Sequence, residues 1–213
     1  MMGILEAILY GIPVTIGVTA CSFLIGMVLA VFLTQAGRSK RSIVRAVSRG
    51  TIDVLRGIPP VVFIFIIFFG VGNQIVRMSP FVAAVVGLGL IATGHLAEIY
   101  RGGLAAVHKG QYEASSALGL SGSDTMSRVI APQAIRVALP GMTSYAISLI
   151  KDSSIVSTIG VVEIMFIANQ SARSAADGIT PFLVAAAVYI LLGTPVAWAS
   201  RVIEAKMHER ILR

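Results

Sequence analysis

Residues 11–33, GIPVTIGVTACSFLIGMVLAVFL, contain no charged side chain. That run constrains the fold more than any other feature of the chain. About 20 residues at about 1.5 Å each cross the hydrocarbon core of a bilayer, and in hydrocarbon every backbone N–H and C=O must find its partner inside the segment, which an α-helix achieves. Four more apolar runs follow, at 58–72, 80–97, 137–150 and 179–200. The second extends backward toward Thr51 and the fourth continues past Lys151. The predicted spans are therefore 11–34, 53–73, 80–100, 136–157 and 179–202, five transmembrane helices in one all-α integral membrane domain over residues 1–213. Only 13% of the residues are charged and 56% are hydrophobic, against about 25% charged in an average soluble domain.

The net charge of +7 suggests nucleic acid until the basic residues are located. Arg38, Lys40, Arg41, Arg45, Arg49 and Arg56 lie in the connection 34–57. Arg101, Lys109, Arg128 and Arg136 lie in 98–136, and Arg201, Lys206, Arg210 and Arg213 in the tail. The other connections hold only Arg77, Lys151 and Arg173. Alternate connections are thus rich and poor in Lys and Arg, which places the rich ones in the cytoplasm. The N-terminus is expected outside and the C-terminus in the cytoplasm. No aromatic-interleaved basic patch accompanies the charge, so nucleic acid is excluded as a partner. No Lys or Arg precedes the first apolar run, so it is expected to remain as an anchor rather than be cleaved. Cys21 is the single cysteine, so no intrachain disulfide can form.

Chemistry of its own is hard to find in this chain. There is no phosphate loop and no Gly-Lys dipeptide. His95, His108 and His208 are not at metal-ligand spacing, so no metal is expected. Without a nucleotide site, a metal cluster or a nucleophile–base pair, the chain is not expected to be an enzyme. Uphill transport would then need an ion gradient or ATP hydrolysis on a partner.

Residues 110–136, GQYEASSALGLSGSDTMSRVIAPQAIR, form a mostly polar island between spans three and four. Residues 111–118 read as a helix of about two turns, bounded by Gly110 and Gly119, with Gly119 as its left-handed C-cap. Such a helix is marginal alone in water because nucleation is costly. It lacks a broad apolar face, while Ala114, Ser115, Ser116 and Ala117 allow close approach of another protein, with Tyr112 and Glu113 as an aromatic anchor and a charge. Presentation to a groove on a partner is one reading; a connecting helix at the lipid interface is the other.

Glu113-Ala114-Ser115, then Gly119, then Val129 and Ala131-Pro132 resembles the permease signature of ABC importers, EAA, three residues, G, nine residues, I-x-L-P. The spacing is met in full, with Ser115, Val129 and Ala131 departing in side chain. RGIPP from Arg56, GHLAEIYRGG from Gly94, KGQYEA from Lys109, PQAIR from Pro132 and KDSS from Lys151 are similar to segments of the polar amino-acid branch, the histidine/glutamine/arginine permease family. Gly94 and His95 depart from its A-Y. The resemblance implies an ABC importer permease-like fold with a short cytoplasmic coupling helix between spans three and four. It also implies a second permease chain, same or homologous, a cytoplasmic ABC ATPase dimer that holds ATP and Mg, and an extracytoplasmic solute-binding protein, in a bacterial cytoplasmic (inner) membrane. No cofactor is expected on this chain. The ATPase-docking positions would be Tyr112, Glu113, Ala114, Ser115 and Gly119.

Polar groups inside hydrocarbon default to pathway or packing roles. Gly141, Ser144 or Tyr145, Ser148 and Asp152 recur at helical spacing on span four. With Lys151 they form the expected substrate pathway, Ser144 and Ser148 serving equally well as helix-packing residues. Glu98, Arg101 and Glu163 are expected to be gating or structural. Many members of the similar family carry Asn then Glu or Gln where this chain has Ser144-Tyr145. A tyrosine offers a ring face and a hydroxyl but no carboxylate, which argues against a strongly cationic solute and leaves room for zwitterions such as ectoine, or for opines. The expected function is import of a polar amino acid or related zwitterion by alternating access. Rival expectations are a non-transporting scaffold or receptor module and an ion-coupled secondary carrier, the latter normally with more intramembrane acids and paired repeats.

Overall fold

A computed structural model describes residues 3–174 and 178–209; the tail residues Arg210 and Arg213 lie outside the described residues. The described chain is helical. In order come α1 (Ile4–Leu9), α2 (Ile12–Ala36), α3 (Ser42–Gly57), α4 (Pro60–Gln74), α5 (Pro80–Ala106), α6 (Lys109–Ala117), α7 (Gly122–Ile159), α8 (Ile164–Ser174) and α9 (Thr180–Glu209). Three helical runs, Ile4–Ala36, Pro80–Ala106 and Thr180–Val202, are long and apolar enough to cross a membrane alone, and the count is five if the bent pairs α3–α4 and α7–α8 each make one span.

The centre is α5, with 67% of its most apolar 18 residues buried, against 28% for the first run and 11% for α9. Its start is set by Ser79, whose hydroxyl accepts from Val82 N at 3.3 Å, followed by Pro80 in the first turn, where its missing N–H costs nothing. Small residues let neighbours close on it. A Cβ at Gly26 of α2 would lie 2.6 Å from Ala92 Cβ, and one at Gly103 would lie 2.5 Å from the Ala134 carbonyl of α7. With lipid as apolar as the side chains, such close packing and interhelical hydrogen bonds hold helices together. Ser22 Oγ donates to the Val85 carbonyl (3.3 Å) and Thr34 Oγ1 to that of Ala97 (3.3 Å).

The helices differ from the expected spans in two places. The segment 53–73 is not one straight span: α3 and α4 meet at 103°. Ile58 precedes Pro59 and is held extended (φ −81°, ψ 130°), as the proline ring requires of its predecessor. The basic connection 34–57 is accordingly mostly helix, with Ser48, Ile52 and Leu55 buried on one face of α3. The helix that carries the expected span 136–157 starts well before it. α7 begins at Gly122 with Ser121 as its N-cap, whose Oγ accepts from Asp124 N (3.1 Å) and donates to the Asp124 carboxylate (2.7 Å). A π turn at Thr125–Ile130 ends two residues before Pro132, where the chain lacks the N–H that would continue a regular ladder.

Candidate docking helix and solute pathway

α6 starts two residues earlier than its glycine boundary suggested, because His108 Nδ1 accepts from Gly110 N (3.1 Å) as its N-cap. Its end is as expected. Gly119 is left-handed (φ 70°), Gly119 N donates to the Ser116 carbonyl (3.0 Å) and Leu120 N to that of Ser115 (3.1 Å), the paired bonds of a Schellman cap. The helix is held from behind by its own chain. Tyr112 packs on the cluster of Val107, Ile130 and Ala134, Gln133 Nε2 donates to Gln111 Oε1 (3.2 Å), and Ser115 is buried.

The opposite side is bare. Glu113, Ala114, Ser116 and Ala117 are exposed, and among the described residues no basic side chain pairs with Glu113. Leu118, which the sequence reading passed over, is 79% exposed; a lone leucine just before the glycine cap of a polar helix was the available signal. Thus the five docking candidates split. Glu113, Ala114 and Gly119 face outward, whereas Ser115 faces inward and Tyr112 is half-buried.

The pathway candidates split too. Tyr145, Ser148 and Asp152 are half-buried on the face of α7 that also carries Gly141, in contact distance of Ile99 on α5. Ser144 and Lys151, seven residues apart, are exposed on a different face. The Tyr145 ring stacks on His95 of α5 at 4.9 Å and 22°, and its hydroxyl is buried with no hydrogen-bond partner among the described residues. Arg56, at the end of α3, lies within electrostatic reach of both His95 and Glu98. Neither Arg56 nor His95 was among the expected site residues; a charge three residues before a double proline at the head of an apolar run was the sign.

Glu98 and Arg101 pair along α5, with Nε to Oε2 at 2.9 Å. Glu163 is fully buried between α7 and α8. Its Oε1 accepts from Phe166 N (2.8 Å), which makes it the N-cap of α8. Its Oε2 accepts from the Tyr189 hydroxyl of α9 (2.5 Å) and from Thr15 Oγ1 of α2 (3.4 Å). One carboxylate therefore joins three elements.

Residues 22–209 match the family described as Binding-protein-dependent transport system inner membrane component. The chain belongs to that family. It is 33% identical over 199 residues to the probable amino-acid ABC transporter permease protein YckA of Bacillus subtilis (strain 168), covering 93% of this chain and 88% of the relative. It is 34% identical over 204 residues to the L-cystine transport system permease protein TcyB of the same organism, covering 95% and 87%. Among solved structures, an amino acid ABC transporter crystallised with histidines superposes with a TM-score of 0.87 at 28% identity over 94% of each chain. This family member therefore has the all-helical fold of ABC importer permeases and is a multi-pass component of the inner membrane.

Proposed function

We propose that this chain is the permease subunit of an ATP-driven importer for a polar amino acid or related zwitterion, working by alternating access. The observation that carries the reading is α6, a nine-residue helix anchored on its inner side and bare on its outer. A cytoplasmic ABC ATPase dimer, holding ATP and Mg, grips that outer side through Glu113 and Leu118. Closure of the dimer moves α6 as a lever on α7, and the preference of ATP for the closed state shifts the spans between inward and outward facing. A second permease chain completes the pathway and an extracytoplasmic binding protein delivers the solute. The N-terminus is outside and the C-terminus in the cytoplasm. Support for a common side comes from the contact of Tyr112 with the pocket that also holds Arg38 and Arg101.

The solute passes along Tyr145, Ser148 and Asp152, with Ser144 and Lys151 on the face turned to the second permease chain. The amino-acid class rests on the relatives. The Tyr145–His95 stack, where the family often has a carboxylate, favours a zwitterion such as ectoine or an opine over a strongly cationic solute. Reconstitution of the chain with its ATPase and binding protein in proteoliposomes tests the reading. Uptake that requires ATP and binding protein is expected. Uptake driven by an ion gradient with the ATPase left out overturns it.

A further inference from the structure

Two adjoining concavities have no ligand in this scheme. A cleft of about 340 Å³ between α2, α5 and α7 is lined by Met27, Val31, Leu104, Ala134, Ile135 and Ala138, with Thr34 and Gln35 at one end. Its size is that of a small-molecule site. Val31 is 48% and Ile135 56% exposed, so the cleft opens on the apolar outer side of the described helices. Thr34 and Leu104 also line a second pocket of about 230 Å³, which adds Arg38, Arg101 and Tyr112. The apolar trench thus runs into a pocket carrying two guanidinium groups.

The charge there is not cancelled. Arg101 is engaged by Glu98, but among the described residues Arg38 has no acidic partner and its side chain makes no hydrogen bond. Lys40 and Arg41 follow it, and Arg45 is folded back, with Nη1 on the Ser39 (2.8 Å) and Lys40 (3.0 Å) carbonyls. A trench for hydrocarbon that ends at uncompensated positive charge matches one component of a bilayer, because basic pockets between helices near the cytoplasmic interface select anionic headgroups. A zwitterionic lipid would fill the trench equally well and gain nothing at the rim.

We infer that one anionic phospholipid binds this chain specifically, with an acyl chain in the cleft between α2, α5 and α7 and its phosphate at Arg38 beside Arg101. Tyr112 of α6 lines the same headgroup pocket. The bound lipid therefore touches the docking helix from its inner side, and by mass action it favours the arrangement in which α6 is seated.

The test uses the full chain purified with its ATPase in detergent. Phosphatidylglycerol or phosphatidylcholine of matched acyl chains is added, and the lipids retained are counted by native mass spectrometry. Phosphatidylglycerol is expected to be retained about fivefold better, the advantage of about one basic side chain at a membrane surface. Arg38→Gln should abolish that preference, and Arg49→Gln, on an exposed position of α3, should keep it. Equal retention of the two lipids overturns the inference. So does an equal loss from Arg38→Gln and Arg49→Gln, which would mark diffuse attraction, and so does displacement by millimolar inorganic phosphate, which would mark a headgroup pocket that binds phosphate without the lipid. None of these readouts depends on transport.

Discussion

Glu113 and Glu163 are two acids in a chain with only ten, and the fold treats them in opposite ways. Glu163 is buried and finds a backbone N–H and two hydroxyls from three elements. Glu113 is exposed on a helix whose other side is well anchored, and it has no cationic partner within the described chain. A buried carboxylate survives only where hydrogen bonds replace water, so the completeness of its shell makes Glu163 part of the architecture. The bare carboxylate of Glu113 is free for another protein. Whether a polar group is satisfied inside the chain thus separates a structural acid from a contact acid better than its sequence surroundings do.

The comparison breaks first at Glu163. Glu163→Ala would leave the Tyr189 and Thr15 hydroxyls and Phe166 N without their acceptor and would remove the α8 cap, at a cost of about 3 kcal/mol. A fall of roughly 10 °C in the thermal midpoint of the detergent-purified protein is expected. Glu163→Gln keeps one acceptor and should lose about half as much. An unchanged midpoint in Glu163→Ala would mean that the carboxylate is not what joins α2, α8 and α9.

Glu113→Arg should do the reverse. Because the side chain is exposed, the thermal midpoint should stay within about 2 °C. Reversing a charge at an interface costs about 2 kcal/mol, which is roughly a thirtyfold loss in affinity for the ATPase. Co-purification measures it directly. Retention of the ATPase at parental levels would remove Glu113 from the docking surface.

How much of this contrast could be read beforehand depends on what each feature needs. The left-handed Gly119 and the helix before it are local, set by a few neighbouring residues, and the glycine position announced them. The apolar runs likewise marked the membrane helices. The 103° bend after α3 was written in Ile58-Pro59-Pro60, but the apolar run on its far side masked it. The cap bond from Glu163 to Phe166 is local and adjacent Ser144 and Tyr145 point apart on any helix, but the inward turn of Ser115 and the joining of α2 and α9 to Glu163 through Thr15 and Tyr189 depend on residues far apart in the chain. Such contacts leave no local pattern. Arg56 near His95 and Glu98 is of the same kind.

Gly119 carries the next effect. A Cβ there would meet nothing within 4 Å, so Gly119→Ala has no steric clash with neighbours and the cost is that of the left-handed backbone alone, about 1 kcal/mol. Fraying of the last turn of α6 should appear as faster amide exchange at Leu118 and Leu120 and a few-fold weaker ATPase binding. Loss of both together is expected, since Leu118 is presented by that turn. Weaker binding with unchanged exchange would place Gly119 itself in the contact.

Ser115 gives the smallest effect and the sharpest reading of the two sides of α6. Its hydroxyl donates to the Gln111 carbonyl one turn back (2.7 Å), a bond the helix does not need because that carbonyl already belongs to the backbone ladder. Ser115→Ala removes it, restores the alanine of the family signature and gains helix propensity of about 0.5 kcal/mol. Stability and ATPase binding should both stay within about 0.5 kcal/mol of the parent. If binding instead falls tenfold while the thermal midpoint holds, the hydroxyl must reach the partner in the assembled state. The helix would then have to roll outward on docking, and its inner face, with Tyr112, would belong to the interface as well.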